Sequence, residues 1–219
     1  MQVAYGILTG PLAWISFILF FAGIAYRLIK MFASINQTEN FIYSYMSLKY
    51  SMRSIFHWLL PFGTVNWRKH PVLTVVTFAF HLCLVLTPVF LVSHVILLDE
   101  AFNISWWTLP DALADIMTAI VIGCAVFFLI RRFVRPEVKY VTDISDFIIL
   151  IIVALPFITG FMAYHQWLAY RFFFMLHIFS GEVMLVAIPF TRLSHMIFSP
   201  FTRAYMGSEF GKVRCARDW

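Results

Sequence analysis

Charge is what this chain has least of. Only 12% of its 219 residues are Asp, Glu, Lys or Arg, about half the share of an ordinary soluble domain. A surface solvated on all sides by water is therefore excluded. Cysteine is scarce too. Cys83, Cys124 and Cys215 form no CxxC pair and no metal-ligand spacing, which argues against an iron–sulfur cluster or zinc site held by this chain alone. Two of the three lie in apolar stretches, where cysteine acts as a small hydrophobe. There is no internal repeat and no low-complexity tract, and glycine and proline are scattered, so residues 1–219 read as one domain. No basic segment or cleavage site precedes the first apolar run, which reads as a retained span rather than a signal peptide. What fills the chain instead is apolar mass: 62% hydrophobic residues, 25 of them Phe. That composition belongs to an integral membrane protein. The net charge of +5 then reflects cytoplasmic loops obeying the positive-inside rule rather than a nucleic-acid surface.

A helix needs about 20 apolar residues to cross the hydrocarbon. Five runs qualify, at about 3–26, 71–98, 112–130, 147–164 and 172–198. They lack the alternation of barrel strands. Loop 27–70 carries Arg27, Lys30, Lys49, Arg53, Arg68 and Lys69 against the single acid Glu39; the next loop holds Asp99, Glu100 and Asp111; the third holds Arg131, Arg132, Arg135 and Lys139. The tail is basic again. This alternation predicts an all-α, multi-pass protein with its N-terminus outside and its C-terminus in the cytoplasm. Loop 27–70 mixes aromatics with cations. Two readings of it stand level: a helix lying in the membrane interface, or a loop packed beneath the bundle.

Histidine is the residue out of place. His81 and His94 lie in the second span, His177 and His195 in the fifth. Neutral imidazole is a good axial ligand for haem iron, and coordination satisfies a nitrogen that lipid cannot. His177 and His195 are 18 residues apart, five whole turns and about 27 Å on one face of a straight helix. The second span runs antiparallel to the fifth, which sets His94 level with His177 near the outside and His81 level with His195 near the cytoplasm. Two bis-histidine b haems across the membrane follow as the expectation. His81 and His94 are about 140° apart on an ideal helix, whereas His70 and His81 differ by only about 20°, so His70 stands as a rival ligand. Pro88, between His81 and His94, releases the pair from ideal angles by kinking the helix.

The stretches "LIRRFVRPEVKYVTDISDFIILIIVALPFITG" and "FFMLHIFSGEVMLVAIPFTRLSHMIFSP" resemble the gamma subunit of respiratory nitrate reductase. The match includes RR-x3-P at Arg131 to Pro136, His-x17-His at His177 and His195, and the run from Pro189 to His195. The long first loop with "NWRKHP" and the wider His81–His94 spacing more closely resemble the cytochrome b subunits of transmembrane redox complexes in sulfate-reducing bacteria. The resemblance implies a five-helix cytochrome b of the bacterial inner membrane with two haem b groups, ligated as His94–His177 and His81–His195. It also implies a menaquinone or menaquinol site, a cytoplasmic iron–sulfur partner subunit, a further membrane subunit and a periplasmic multihaem cytochrome c. It does not imply nitrate chemistry.

The family has a lysine just inside its third helix; "PDALAD" here offers Asp111 and Asp115 instead. Glu182, about a turn beyond His177, is an intramembrane carboxylate and a candidate for proton exchange with a quinone. Tyr164 and His165, at the outer end of the fourth span, are further quinone candidates or a polar end to that helix. Arg192, three residues before His195, faces the same way and suits a haem propionate; Lys69, Arg131 and Arg132 are other cations on that side. The alternative class is a non-haem membrane protein, a proton-relaying transporter or an anchor subunit.

Overall fold

The structure is a computed structural model that describes residues 2–167 and 169–219. The described elements are all helical, as hydrocarbon demands of backbone that must satisfy its own hydrogen bonds. In chain order they are α1 (Gln2–Thr38, with a π turn at Leu8–Leu12), α2 (Phe41–Tyr45), α3 (Leu48–Leu59), α4 (Val65–Lys69), α5 (Pro71–Phe90) and α6 (Val92–Phe102). Then come α7 (Asp111–Val134), α8 (Pro136–Lys139), α9 (Ile144–Tyr164), α10 (Tyr170–Phe190) and α11 (His195–Ser208). Five of them, α1, α5, α7, α9 and α10, are long and apolar enough to span a membrane. Contacts gather the chain into two units. The first joins the residues up to Thr9 to Val76–Met184, and the second joins Gly10–Val75 to Leu185–Trp219.

In the first unit α7 packs on α9. The buried residues of α7 are Ala114, Met117, Val121, Cys124 and Ala125, a helical stripe of mostly small side chains. It suits the close approach that drives helix pairing in lipid. Val153, Ala154, Phe157 and Ala163 are buried on α9. A capping box opens α9: the Asp143 N–H donates to Asp146 Oδ2 at 3.0 Å, and Arg132 meets that carboxylate at 3.3 Å.

The second predicted span is not one helix. α5 stops at Phe90, Leu91 is extended (φ −70°, ψ 130°), and α6 begins at Val92. A helix end leaves carbonyls without partners, and here each of the last three is answered. Pro88 O pairs with His94 Nδ1 at 2.8 Å. Val89 O accepts from Trp106 Nε1 at 2.9 Å, and Phe90 O from the Leu109 N–H at 2.9 Å. The expected kink at the Pro88 ring is instead a break three residues later, and what Pro88 contributes to His94 is its carbonyl.

In the second unit the fifth predicted span also breaks. α10 stops at Phe190, Thr191 is extended, a 3-10 turn covers Arg192–Ser194, and α11 starts at His195. No straight helix joins His177 to His195, so the count of five turns on one face does not apply. Thr191 caps the turn, accepting from the Leu193 N–H at 3.2 Å and donating to Ala187 O at 2.8 Å. Arg27 Nη1 donates to Pro189 O at 2.8 Å and to Ser194 Oγ at 2.9 Å. One turn earlier on α1, a Cβ on Gly23 would stand 2.8 Å from Pro189 Cβ, so glycine is what lets α1 approach the break.

The long first loop is largely helical. α1 runs on to Thr38, and α3 packs against α11. Ser51 Oγ donates to Ala204 O at 2.9 Å and pairs with Ser208 Oγ at 2.8 Å. Gly207 has no room for a Cβ beside Ser54 and Tyr50. The tail folds back on the same helix, with Trp219 stacked on His57 at 4.1 Å and Asp218 bonded to Ser54. The opposite face of α3 exposes Leu48, Met52, Phe56 and Leu59. Small polar residues therefore face the protein and large apolar ones face outward, the reverse of a helix floating in water.

Candidate functional site

His94, two residues into α6, and His177, in the middle of α10, lie close together in the first unit. Their ring centroids are 6.0 Å apart and their planes differ by 15°. Each ring is held the same way. His94 Nδ1 lies 2.8 Å from Pro88 O and His177 Nδ1 lies 2.9 Å from Pro156 O. A carbonyl can only accept, so both rings carry their proton on Nδ1 and keep the Nε2 lone pair. Ligating histidines are usually oriented by such a bond from the other nitrogen.

His177 has a prepared seat on α9. A Cβ on Gly160 would stand 2.9 Å from both Cε1 and Nδ1 of the ring. Gly160 lies one turn past Pro156, so the notch and the carbonyl are on one face. Below the ring, Ser180 Oγ donates to His177 O at 3.0 Å, and Thr159 Oγ1 donates to Leu155 O at 2.7 Å. The two hydroxyls are 3.4 Å apart and buried. Sequence reasoning singled out none of Pro156, Thr159, Gly160 and Ser180. The readable signal was the P-x3-G of "PFITG", a proline and a glycine stacked one turn apart.

Among the described residues no group of three or more His, Cys, Asp or Glu is placed to hold a metal ion. Haem asks for less, because the macrocycle supplies four ligands and the protein only the axial ones. His94 and His177, each with its proton on Nδ1 and its ring near the other, would be the residues to hold such a group.

The other candidate ligands belong to different units and are described singly. His81, on α5 in the first unit, is exposed and has Nδ1 2.8 Å from Thr77 O. His195, opening α11 in the second unit, is exposed and has Nδ1 2.8 Å from Arg192 O. Both therefore also carry their proton on Nδ1. His57 shows the same pattern with Arg53 O at 2.8 Å, so the pattern alone does not select ligands. His70 sits exposed at the junction of α4 and α5, its carbonyl taken by Thr74. Arg192 is exposed in the 3-10 turn, next to the break.

Three of the four quinone candidates converge. His165 Nε2, just past the end of α9, is 3.3 Å from Asp115 Oδ2 on α7. The Tyr164 hydroxyl is turned to Asp111, one helical turn from Asp115. Phe161 and Trp167 flank the His165 ring at 4.4 and 5.4 Å. Tyr164 is one turn beyond Gly160, about 6 Å along α9 from the seat of His177. Glu182 stands apart on α10. Five residues past His177 it is about 140° round the helix, so it does not share the His177 face. It is 7% exposed, and neither carboxylate oxygen has a hydrogen-bond partner. Arg132, a sequence candidate for a propionate, is engaged by Asp146.

A comparison with known proteins finds a relative of nearly the same length. This chain is 36% identical over 214 residues to a protein of Nitratidesulfovibrio vulgaris Hildenborough, across 96% of this chain and 95% of that one. The chain belongs to that protein's family. The relative's given name, "Protein", states no activity, so membership brings no function with it. No family model matches the chain, and no solved structure does.

Proposed function

We propose that the chain is a di-haem cytochrome b subunit of a respiratory complex in a bacterial inner membrane, with the nitrate reductase gamma subunit and the cytochrome b subunits of sulfate reducers as its functional kin. It would carry electrons between a menaquinone pool or a periplasmic multihaem cytochrome c and a cytoplasmic iron–sulfur subunit, beside a further membrane subunit. The observation that carries this reading is the His94–His177 pair, with both Nδ1 atoms tied to carbonyls and both Nε2 atoms left to ligate. Haem bound there supplies reversible one-electron chemistry at its iron. The protein's part is to orient the rings. Pro88 O and Pro156 O fix the tautomers, and Gly160 fixes how close His177 lies to α9. His81 and His195 form the inner pair in this reading, with Arg192 reaching a propionate.

The basic loops support an outside N-terminus and a cytoplasmic C-terminus. The outward Leu48, Met52, Phe56 and Leu59 stripe supports α3 as a helix in the cytoplasmic interface, its apolar face in lipid. Near the outer pair, Asp115, His165 and Tyr164 supply what a quinone needs, a hydrogen-bond donor for a carbonyl and a carboxylate for a proton. A reduced-minus-oxidised spectrum of the purified protein tests the reading. A low-spin b-haem band is expected, with two haems per chain. His177→Ala should remove one haem and spare the other; a colourless wild type would end the reading.

One observation favours the alternative, a proton-relaying membrane protein. Glu182 is buried with neither oxygen partnered, as a relay group would be between transfers. Under that reading the wild type is colourless and Glu182→Gln abolishes proton movement in vesicles.

A further inference from the structure

The second unit contains a groove of about 630 Å³ where α1 passes the broken end of α10. Arg27, Lys30, Met31 and Ser34 line one side. Their spacing of three, four and seven residues is a single helical face. Tyr26 and Phe190 add apolar wall, as does Phe198 beneath the Arg27 guanidinium at 5.1 Å. Among the described residues no acid lines the groove. Arg27 uses Nη1 on Pro189 O and Ser194 Oγ. Lys30 is exposed one turn further on.

The depth of this groove follows from α1 itself. The apolar run from Val3 ends at Tyr26, Arg27 and Lys30 follow, and the helix continues to Thr38. At 37 residues α1 is about 55 Å long, far more than the roughly 30 Å of hydrocarbon. Arg27 and Lys30 thus stand where apolar helix gives way to polar helix, at headgroup level. A ligand for the groove must be apolar at one end and anionic at the other.

We infer that this groove binds one anionic phospholipid, its phosphate at Lys30 and the free side of Arg27, and an acyl chain against Tyr26, Phe190 and Phe198. Phosphatidylcholine brings its own cation to the site and gains less there. Basic pockets at the cytoplasmic ends of spanning helices hold acidic headgroups by this logic. The inference does not depend on haem.

The test uses the full chain in nanodiscs of equal phosphatidylglycerol and phosphatidylcholine, released into mild detergent and read by native mass spectrometry. Wild type should retain phosphatidylglycerol in preference to phosphatidylcholine. Lys30→Gln should cut that retention about five-fold, the share of one cation at an anionic surface. Ser34→Trp should do the same by filling the groove without touching charge. Lys139→Gln, in another loop and equal in charge loss, should not. Equal retention of the two lipids in wild type overturns the inference, as does full retention in Lys30→Gln. Displacement of the lipid by millimolar inorganic phosphate would make it a free-phosphate site and also overturns it.

Discussion

PVFLVSH (Pro88–His94) and PFTRLSH (Pro189–His195) share a pattern, a proline followed after four residues by Ser-His. Each falls at a point where a long apolar helix stops and a shorter one begins with or near the histidine. They are tied down differently. In the first, the histidine itself answers the proline carbonyl, with His94 Nδ1 on Pro88 O. In the second, a cation from α1 answers it, with Arg27 on Pro189 O and Ser194 Oγ, and His195 turns to Arg192 O instead. The first histidine is aimed by its own segment. The second is aimed by a segment that borrows a charge from a distant part of the chain. If His195 holds an iron as proposed, a cation one residue away favours the more reduced state of that iron, and the two breaks would not give equal potentials.

The sharpest way to break this comparison is to spoil the seat of one histidine and watch the other. Gly160→Leu drives a side chain into the His177 ring, which already lies where a Cβ would be. Overpacking at such a contact costs roughly 3 kcal/mol or is relieved by moving the ring. Haem content should fall from two per chain to one, with the His195 site retained. Two haems in that variant would show that Gly160 does not set the position of His177.

Next in size is Arg27→Gln. It leaves Pro189 O short of a strong donor, a loss of about 1–3 kcal/mol, and removes the charge beside Ser194. Both haems should remain in a milder variant, Arg27→Lys. In Arg27→Gln the midpoint of one haem should drop by about 40 mV, the one-electron equivalent of roughly 1 kcal/mol. A redox titration reads this directly. If both midpoints move together, the charge is not local to the second break. Ser194→Ala removes only one of the two bonds Arg27 makes and should cost about 1 kcal/mol, visible as a smaller shift of the same midpoint.

Much of this was legible before the fold. Apolar runs with so few charges leave little choice but spanning helices, and all five appear. The helix ends were not legible. Hydropathy continues unbroken through Leu91, because an extended residue flanked by Phe90 and Val92 is as apolar as a helical one; at the second break Thr191 and Arg192 do interrupt it, yet polarity alone does not tell an extended residue from a helical one. What ends these helices is the supply of donors from elsewhere, Trp106, Leu109 and Arg27, and periodicity carries no trace of such partners. For the same reason the arithmetic of straight helices failed for His177 and His195. The levels of the spans set His94 beside His177, and the two rings do lie 6.0 Å apart, but the seat of His177 was not anticipated. Gly160 looks like any small residue in a membrane helix until the ring it admits is known. Loop 27–70 was half legible. Its aromatics and cations left an interfacial helix and a packed loop level, and nothing in the pattern showed that Ser51 ties α3 to α11 or that Ser54 ties it to the tail.

The finest distinction between the two breaks lies in how the leftover carbonyls are satisfied. At the first break the Val89 carbonyl depends on one indole, Trp106 Nε1 at 2.9 Å. Trp106→Phe keeps the aromatic bulk and removes the donor. A net hydrogen bond is worth about 0.5–1.5 kcal/mol, so the melting temperature should fall by a few degrees. His94 keeps its own bond to Pro88, and haem content should stay at two. A variant that lost haem would mean the first break is not self-sufficient, and that His94, like His195, is aimed by a remote donor. The contrast between the segments would then be one of degree, an indole in one and a guanidinium in the other.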